Sequence, residues 1–305
     1  MKQETLKQRR YRVLSLIGRG PISEVYLVED MQIGQQVALK WLCVNAPPPA
    51  SQQKATLSFF DYKVKTIAKL DHTNILPILD YGEESTKEVL NPYLVMPYCQ
   101  EGSLANWLKK VENHTTLSLQ DVASIVHIIA DSLQYAHKHG VLHLKVNPSN
   151  ILMNGGTGYQ GLKLSEFLMT ALVSDYYEVR HRIANSPTYR APEQWKDEPV
   201  VATDQYALAV LTNILLTGRA PFQGNTVELM EAHMNQVPTT PSTINPVLSH
   251  GIDTVLLRAL EKEPDDRFVT ISAFASAFER AIQPMAAPAM VMPINFQPYA
   301  QFEGQ

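Results

Sequence analysis

The sequence has few of the features that mark secreted, membrane or nucleic-acid-binding proteins. Of its 305 residues only two are cysteines, Cys43 and Cys99, and neither has a metal-ligand spacing around it. We therefore expect no disulfide framework and no structural metal, and a reducing, cytoplasmic setting. No apolar run approaches the roughly 18 residues of a membrane span, and residues 1–10 are too polar for a signal peptide. A net charge of −4 gives no reason to expect a nucleic-acid partner.

The first hundred residues have a β-rich pattern. Short β-like segments are separated by Gly, Pro and Ser, which is typical of an antiparallel meander. One stretch with apolar residues at helical spacing, Ser58–Leu70, interrupts them. The predicted strands are Tyr11–Ile17, Val25–Glu29, Gln36–Leu42, Ile75–Tyr81 and Pro92–Met96, with a polar turn between the last two.

Helical patterns dominate after Gly102. Ser118 and Asp121 have the spacing of a capping box and predict the start of a long amphipathic helix. A buried helix is predicted over Gln205–Leu216, directly after Asp204, and amphipathic helices over Asp253–Glu261 and Ile271–Arg280.

These patterns divide the chain into an extension over residues 1–10, a small β-rich lobe over 11–98, a larger helical lobe over 99–281 and a tail over 282–305. The tail is rich in Pro, Ala and Met, and its four prolines forbid a stable helix. Two interpretations stay open for it: a flexible tail, or a docking segment, since its apolar content is high for a linker.

Six motifs occur in a fixed order along the chain. Residues 18–25 read G-R-G-P-I-S-E-V, 37–40 V-A-L-K, 143–150 H-L-K-V-N-P-S-N, 164–168 L-S-E-F-L and 191–193 A-P-E, and a late arginine follows at Arg267. Across roughly residues 10–281 they resemble the bacterial Ser/Thr protein-kinase family. The counterparts are its Gly-rich loop, V-A-I-K lysine, H-R-D-x-K-P-x-N catalytic loop, L-x-D-F-G and A-P-E. The resemblance implies an α+β, bilobal protein-kinase-like fold.

The same motifs depart from the family where chemistry is performed. The resemblance places Lys145 at the position of the family's catalytic aspartate. In the family, that aspartate accepts the substrate hydroxyl proton. Asn147 replaces the lysine that contacts the γ-phosphate, and Leu144 replaces the arginine that pairs with a phosphorylated activation loop. Lys63 stands where the family has the glutamate that pairs with Lys40. The sequence therefore indicates a degenerate member, a pseudokinase, with no intact catalytic set.

The nucleotide pocket implied by the resemblance is better preserved. Its apolar and hinge positions are Val25, Ala38, Met96, Tyr98 and Leu152, and its phosphate side has Gly18, Gly20 and Lys40. Ser23 replaces the third glycine of the loop and Pro21 removes one N–H donor, so we expect a weaker grip on phosphate.

Glu166 and Asn150 complete the cofactor-binding set. Glu166 replaces the metal-binding aspartate and is one methylene longer, which matters for Mg²⁺ because that ion demands near-ideal geometry. Glu166 either forms an internal ion pair with Lys40 or Lys145, or binds a metal together with Asn150. The resemblance further implies a His143–Phe167 contact between the lobes and a buried Glu193–Arg267 ion pair.

Three functions compete at this point. The first is a pseudokinase that regulates or scaffolds bacterial signalling, binds ATP weakly and without Mg²⁺, and has another signalling protein or an active kinase as its partner. The second is a weakly active or unconventional Ser/Thr kinase that uses Glu166 and Asn150 for metal and Lys40 for phosphate. The third is a pocket for a ligand other than ATP.

Overall fold

The computed structural model describes residues 5–6, 10–20, 23–42, 62, 64–86, 89–111, 117–155, 158–167 and 186–283. These residues form a β-sheet lobe followed by a larger helical lobe, as the sequence predicts. Lys63, residues 168–185 and the tail from residue 284 lie outside the described residues.

The N-terminal lobe is a six-stranded antiparallel sheet in the order β1-β2-β3-β4-β6-β5. Its core packs aromatic and β-branched side chains, including Tyr11, Val28, Trp41 and Tyr93, which suit a half-buried pleated surface. The strands are β1 Thr5–Leu6, β2 Tyr11–Arg19, β3 Ser23–Asp30, β4 Gln35–Leu42, β5 Asp80–Thr86 and β6 Val89–Pro97. The first three predicted strands are confirmed, and Thr5–Leu6 of the predicted extension pairs with β2.

The predicted strand over Ile75–Tyr81 is largely wrong. Ile75 makes only an isolated bridge to Leu164, and the regular strand begins at Asp80. Pro77 cannot donate to a ladder, which explains the break. The strand instead runs through the polar residues predicted as a turn, because they pair along β6 as a hairpin arm.

The helical lobe is built from eight helices among the described residues. They are α1 Leu104–Val111, α2 Leu119–Lys138, α3 Pro192–Trp195, α4 Val201–Thr217, α5 Thr226–Asn235, α6 Pro241–Ile244, α7 His250–Ala259 and α8 Ile271–Ile282. A small hairpin, β7 Ile151–Met153 and β8 Leu162–Leu164, lies beside them. Residues 62 and 64–68 are also helical, within the helix predicted over Ser58–Leu70.

The two long helices of this lobe show how local sequence sets their ends. Ser118 and Asp121 form the predicted capping box at the start of α2. Helix α4 begins at Val201, three residues before Asp204, and ends where Gly218 adopts φ 72°. That left-handed conformation favours glycine because it has no Cβ. Because α4 is buried on nearly all sides, it forms the centre of the lobe. None of the described helices is long and apolar enough to cross a membrane.

Candidate active site

The segment 143–150 is fixed by hydrogen bonds from inside the helical lobe. The buried His143 ring contacts the carbonyl of Ser165 through Nε2 at 2.8 Å and accepts the Lys145 N–H through Nδ1 at 3.1 Å. Burial lowers the pKa of His143, which favours the neutral ring that this pattern needs. The His143 and Phe167 rings meet edge to face with centroids 4.6 Å apart, so the predicted contact between the lobes is confirmed.

Asp204 clamps the same segment from helix α4. Its carboxylate accepts the backbone N–H of His143 at 2.8 Å and that of Leu144 at 2.7 Å, and it contacts His137 Nε2 at 2.8 Å. Burial opposes ionisation of Asp204, yet these donors hold its pKa below the ordinary value. The clamp stabilises Leu144 at φ 61°, a conformation that a branched side chain rarely adopts.

Lys145 occupies the centre of this segment. Its carbonyl accepts Nδ2 of Asn147 at 2.9 Å and Nδ2 of Asn150 at 2.8 Å. Within the described part of the chain, no hydrogen bond from Nζ of Lys145 occurs. The position expected to hold a carboxylate therefore holds a half-buried ammonium group that forms no hydrogen bond with the described residues.

Lys40 and Glu166 form the internal ion pair that was one of the two expectations for Glu166. Nζ of Lys40 lies 2.6 and 2.5 Å from the two carboxylate oxygens, and both side chains are mostly buried. Burial raises the pKa of Glu166, but the Lys40 ammonium outweighs it and the net pKa is lowered. Glu166 therefore stays ionised at neutral pH. Its backbone has φ 71°, a second strained position in the site.

The charges of Lys40, Lys145 and Glu166 do not balance. Burial lowers the pKa of Lys145 to about 8, with the nearby Lys40 charge acting in the same direction and Glu166 opposing. At neutral pH most Lys145 side chains therefore carry a proton. Two ammonium groups then face one carboxylate, which leaves about one positive charge for an anion to neutralise.

The Gly-rich turn offers few free donors for phosphate. Gly18 lies opposite Val25 across the β2–β3 hairpin. The Gly20 N–H is already bonded to the Ser23 carbonyl at 2.7 Å. Because the Pro21 nitrogen carries no hydrogen, two of the positions that would grip phosphate are lost.

The remaining pocket residues come from both lobes. Ala38 and Met96 are cross-strand partners on β4 and β6, and Val25 lies opposite Lys40. Tyr98 follows β6, and Leu152 bridges to Ser103 just beyond it. The predicted adenine-side residues therefore lie on β3, β4 and β6, on the connection after β6 and on β7.

A small cavity of about 30 Å³ has Met96 in its lining. Lys40, Met96, Glu166 and Phe167 line it together with apolar residues that sequence reasoning missed, including Ile67 and Leu94. Val25, Ala38 and Leu152 are not part of its lining. The cavity is large enough for only one or two water molecules.

Two further positioning residues were missed at the sequence level. Gln194 Nε2 donates to the Leu144 carbonyl at 3.1 Å, and the Ser165 hydroxyl donates to the Asn150 carbonyl at 2.9 Å. Gln194 directly follows the A-P-E motif, which was the only available signal. It connects the A-P-E segment to the segment that carries Lys145.

The predicted Glu193–Arg267 ion pair is confirmed. Both guanidinium Nη atoms lie 2.8 Å from carboxylate oxygens of Glu193, and Thr203 donates a further hydrogen bond at 2.7 Å. Arg267 is completely buried and its other donors reach backbone carbonyls. This pair fixes the end of the A-P-E segment against the helical lobe.

The protein kinase domain profile matches residues 11–278. The chain belongs to the protein kinase family. The matched range covers both lobes and all six motifs, so the expectation of a kinase fold is confirmed.

Two bacterial proteins are among the relatives that the kinase domain resembles. It is 32% identical over 280 residues to serine/threonine-protein kinase Pkn1 of Myxococcus xanthus, covering 89% of this chain and 38% of that protein. It is 28% identical over 288 residues to serine/threonine-protein kinase PksC of Streptomyces coelicolor, covering 93% of this chain and 51% of that one. The chain therefore spans about half or less of the length of these two relatives.

Solved structures agree on the fold. A crystal structure of the Mycobacterium tuberculosis PknI kinase domain superposes with a TM-score of 0.67 at 27% identity. The superposition covers 92% of this chain and 99% of that one. The likeness extends over both lobes.

Proposed function

We propose that this kinase domain is a regulatory or scaffolding module of bacterial signalling that binds a nucleotide weakly and does not transfer phosphate at neutral pH. The observation that carries the proposal is Lys145. A protonated amine cannot accept the substrate hydroxyl proton, and loss of a general base costs roughly 10²–10⁴-fold in rate. Another signalling protein or an active kinase is the partner that fits this role. A cytoplasmic location stays a prediction.

The charge cluster also argues for nucleotide binding without a metal. Both oxygens of Glu166 are engaged by Lys40, and Asn150 uses its Nδ2 on the Lys145 carbonyl. Glu166 therefore fits a Mg²⁺ ion poorly, because that ion would have to displace Lys40. Asn150 donates through its nitrogen, so its Oδ1 would be the remaining metal ligand. The surplus ammonium of Lys145 can instead neutralise a polyphosphate directly.

Titration calorimetry with ATP tests this proposal. We expect micromolar or weaker binding that is similar in EDTA and in Mg²⁺, and that is lost in Ala38→Trp, whose side chain fills the adenine slot. Val247→Trp, at a site 87% exposed, serves as the control for added bulk. Tight binding that requires Mg²⁺ would contradict the proposal. Absence of nucleotide binding would favour a different ligand or a pure scaffold.

A second function, that of an unconventional Ser/Thr kinase, has two supports. The names of the relatives favour it, since Pkn1 and PksC are both called serine/threonine-protein kinases. The lowered pKa of Lys145, about 8, also means that a neutral amine becomes abundant at mildly alkaline pH. A neutral amine is a competent general base.

The pH dependence of phosphate transfer separates the two functions. If Lys145 acts as a base, transfer of labelled γ-phosphate should rise as pH increases through about 8. It should disappear in Lys145→Met but persist in Lys138→Met, where the exposed lysine lies outside the site. Transfer that remains at background up to about pH 9.5, well above the pKa of Lys145, would reject the kinase function and keep the regulatory one.

A further inference from the structure

A groove of about 410 Å³ opens on the surface of the helical lobe, between helices α2 and α8. Its floor contains Ala123, Ile128 and Ile282, which pack on the main core but remain only half-buried. Exposed polar side chains, among them Ser124, His127 and Glu279, form its rim. The volume is that of a small-ligand or peptide site.

The groove lies where the described chain ends. Ile282 and Gln283 both line it, so the next residues start at its edge. Gln283 leaves α8 in an extended conformation, φ −68° and ψ 138°, and Pro284 follows it. Any segment attached at this point is present at a high effective concentration beside the groove.

Residues 284–305 have the composition of a groove ligand. Their only charged side chain is Glu303, and their apolar side chains cluster around Met290–Met292. Four prolines favour an extended, polyproline-like backbone, which loses little entropy on binding in a groove. An uncharged segment also suits this rim, since Glu279 is the only carboxylate there and no lysine or arginine lines the groove among the described residues.

The stretch that follows α8 is long enough to cross the groove. At about 3.1 Å per residue, the stretch from residue 284 to 290 spans roughly 20 Å. Packed helices lie about 8–10 Å apart. The chain can therefore leave α8 and place Met290–Met292 across the groove against α2.

We propose that residues 284–302 of this chain dock in the α2–α8 groove, with Met290–Met292 on the floor formed by Ala123, Ile128 and Ile282. The tail is thereby an intramolecular ligand of the helical lobe. The site is separate from the cleft that contains Lys40 and Glu166.

Hydrogen exchange on the full chain tests the proposal. We expect tail amides between residues 285 and 302 to exchange about tenfold or more slower than in a free peptide of the same sequence. Ala123→Arg, which places a charge on the floor, should return them to the free-peptide rate. Val247→Arg, at an exposed site outside the groove, should leave the protection unchanged.

The double variant Met290→Asp, Met292→Asp changes the tail instead of the groove, so every residue of the folded lobe stays as in the wild type. It should abolish tail protection as Ala123→Arg does. Three outcomes would overturn the proposal: a wild-type tail that exchanges at the free rate, protection that survives both variants, or protection lost on dilution. The last would assign the groove to the tail of a second copy.

Discussion

Two buried ion pairs, one in the helical lobe and one at the lobe junction, differ in how completely their charges are satisfied. In the helical lobe, Arg267 uses Nε, Nη1 and Nη2 on Glu193 and on the carbonyls of Glu261, Ala202 and Lys262. At the lobe junction, Lys40 meets Glu166 alone, with the additional ammonium of Lys145 nearby. The first pair is saturated, and the second carries a surplus charge.

The difference between the two ion pairs separates the contacts that stabilise the fold from the groups at the candidate active site. The framework contacts of the kinase fold, which are the Glu193–Arg267 pair, the Asp204 clamp and the His143–Phe167 contact, are all present. The position in the same loop on which the proposed function depends, Lys145, carries a protonated amine at neutral pH. A scaffold can therefore be kept by packing and hydrogen bonding while the groups it positions change.

Removing Arg267 should have the largest effect on stability. Arg267→Met leaves the buried Glu193 carboxylate without its counter-charge, and breaking such a pair typically costs about 3–5 kcal/mol. We expect the free energy of unfolding, measured by urea denaturation, to fall by that amount. Arg280→Met, an exposed arginine on α8, should change it by less than about 0.5 kcal/mol. Equal effects would show that the Glu193–Arg267 pair is not a framework contact.

Asp204→Asn should cause the second-largest loss of unfolding free energy. An amide at this position replaces one acceptor oxygen by an NH₂ group, so at least one of the His143, Leu144 and His137 donors loses its partner. Hydrogen bonds to charged groups are worth about 1.5–3 kcal/mol, and we expect a loss of unfolding free energy in that range. Asp265→Asn, which is exposed, is the matched control. A neutral result would mean that the clamp does not hold the segment that carries Lys145.

Lys145→Met should raise the free energy of unfolding, in contrast to the two variants above. A folded-state pKa of about 8 lies below the value of 10.5 for free lysine, so protonated Lys145 opposes folding. Removing it should raise the unfolding free energy at pH 7 by about 1–3 kcal/mol.

The pH dependence of that gain follows from proton binding. Between about pH 8 and 10.5 the unfolded chain binds more protons at this position than the folded one, so wild-type stability rises across that window. The advantage of Lys145→Met is therefore full below about pH 8 and fades above it. A destabilised Lys145→Met at pH 7 would show that the surplus charge is satisfied.

Much of this arrangement could be predicted from the sequence, because the kinase motifs fix where each group lies. The Glu193–Arg267 pair followed from motif positions, and the Lys40–Glu166 pair was one of the alternatives left open for Glu166. The strand over Ile75–Tyr81 was misplaced, because apolar residues there pack beside Leu164 instead of pairing in the sheet. Apolar spacing cannot distinguish those two forms of burial.

Other features depend on distances that a linear pattern does not contain. The Gln194 bond to the Leu144 carbonyl joins segments 50 residues apart. The depressed pKa of Lys145 arises from burial, which the sequence alone does not show. The assignment of Lys63 to the position of the family's glutamate stays a prediction, because that residue lies outside the described ones.

The central claim is that the framework persists while proton acceptance is lost, and one measurement tests it most directly. Transfer of labelled γ-phosphate to itself or to a generic protein substrate should be measured at about pH 7 for the wild type beside Lys40→Met. The account predicts equal, background rates for both proteins. A wild-type rate more than about tenfold above Lys40→Met, a difference of roughly 1.4 kcal/mol in activation free energy, would contradict it.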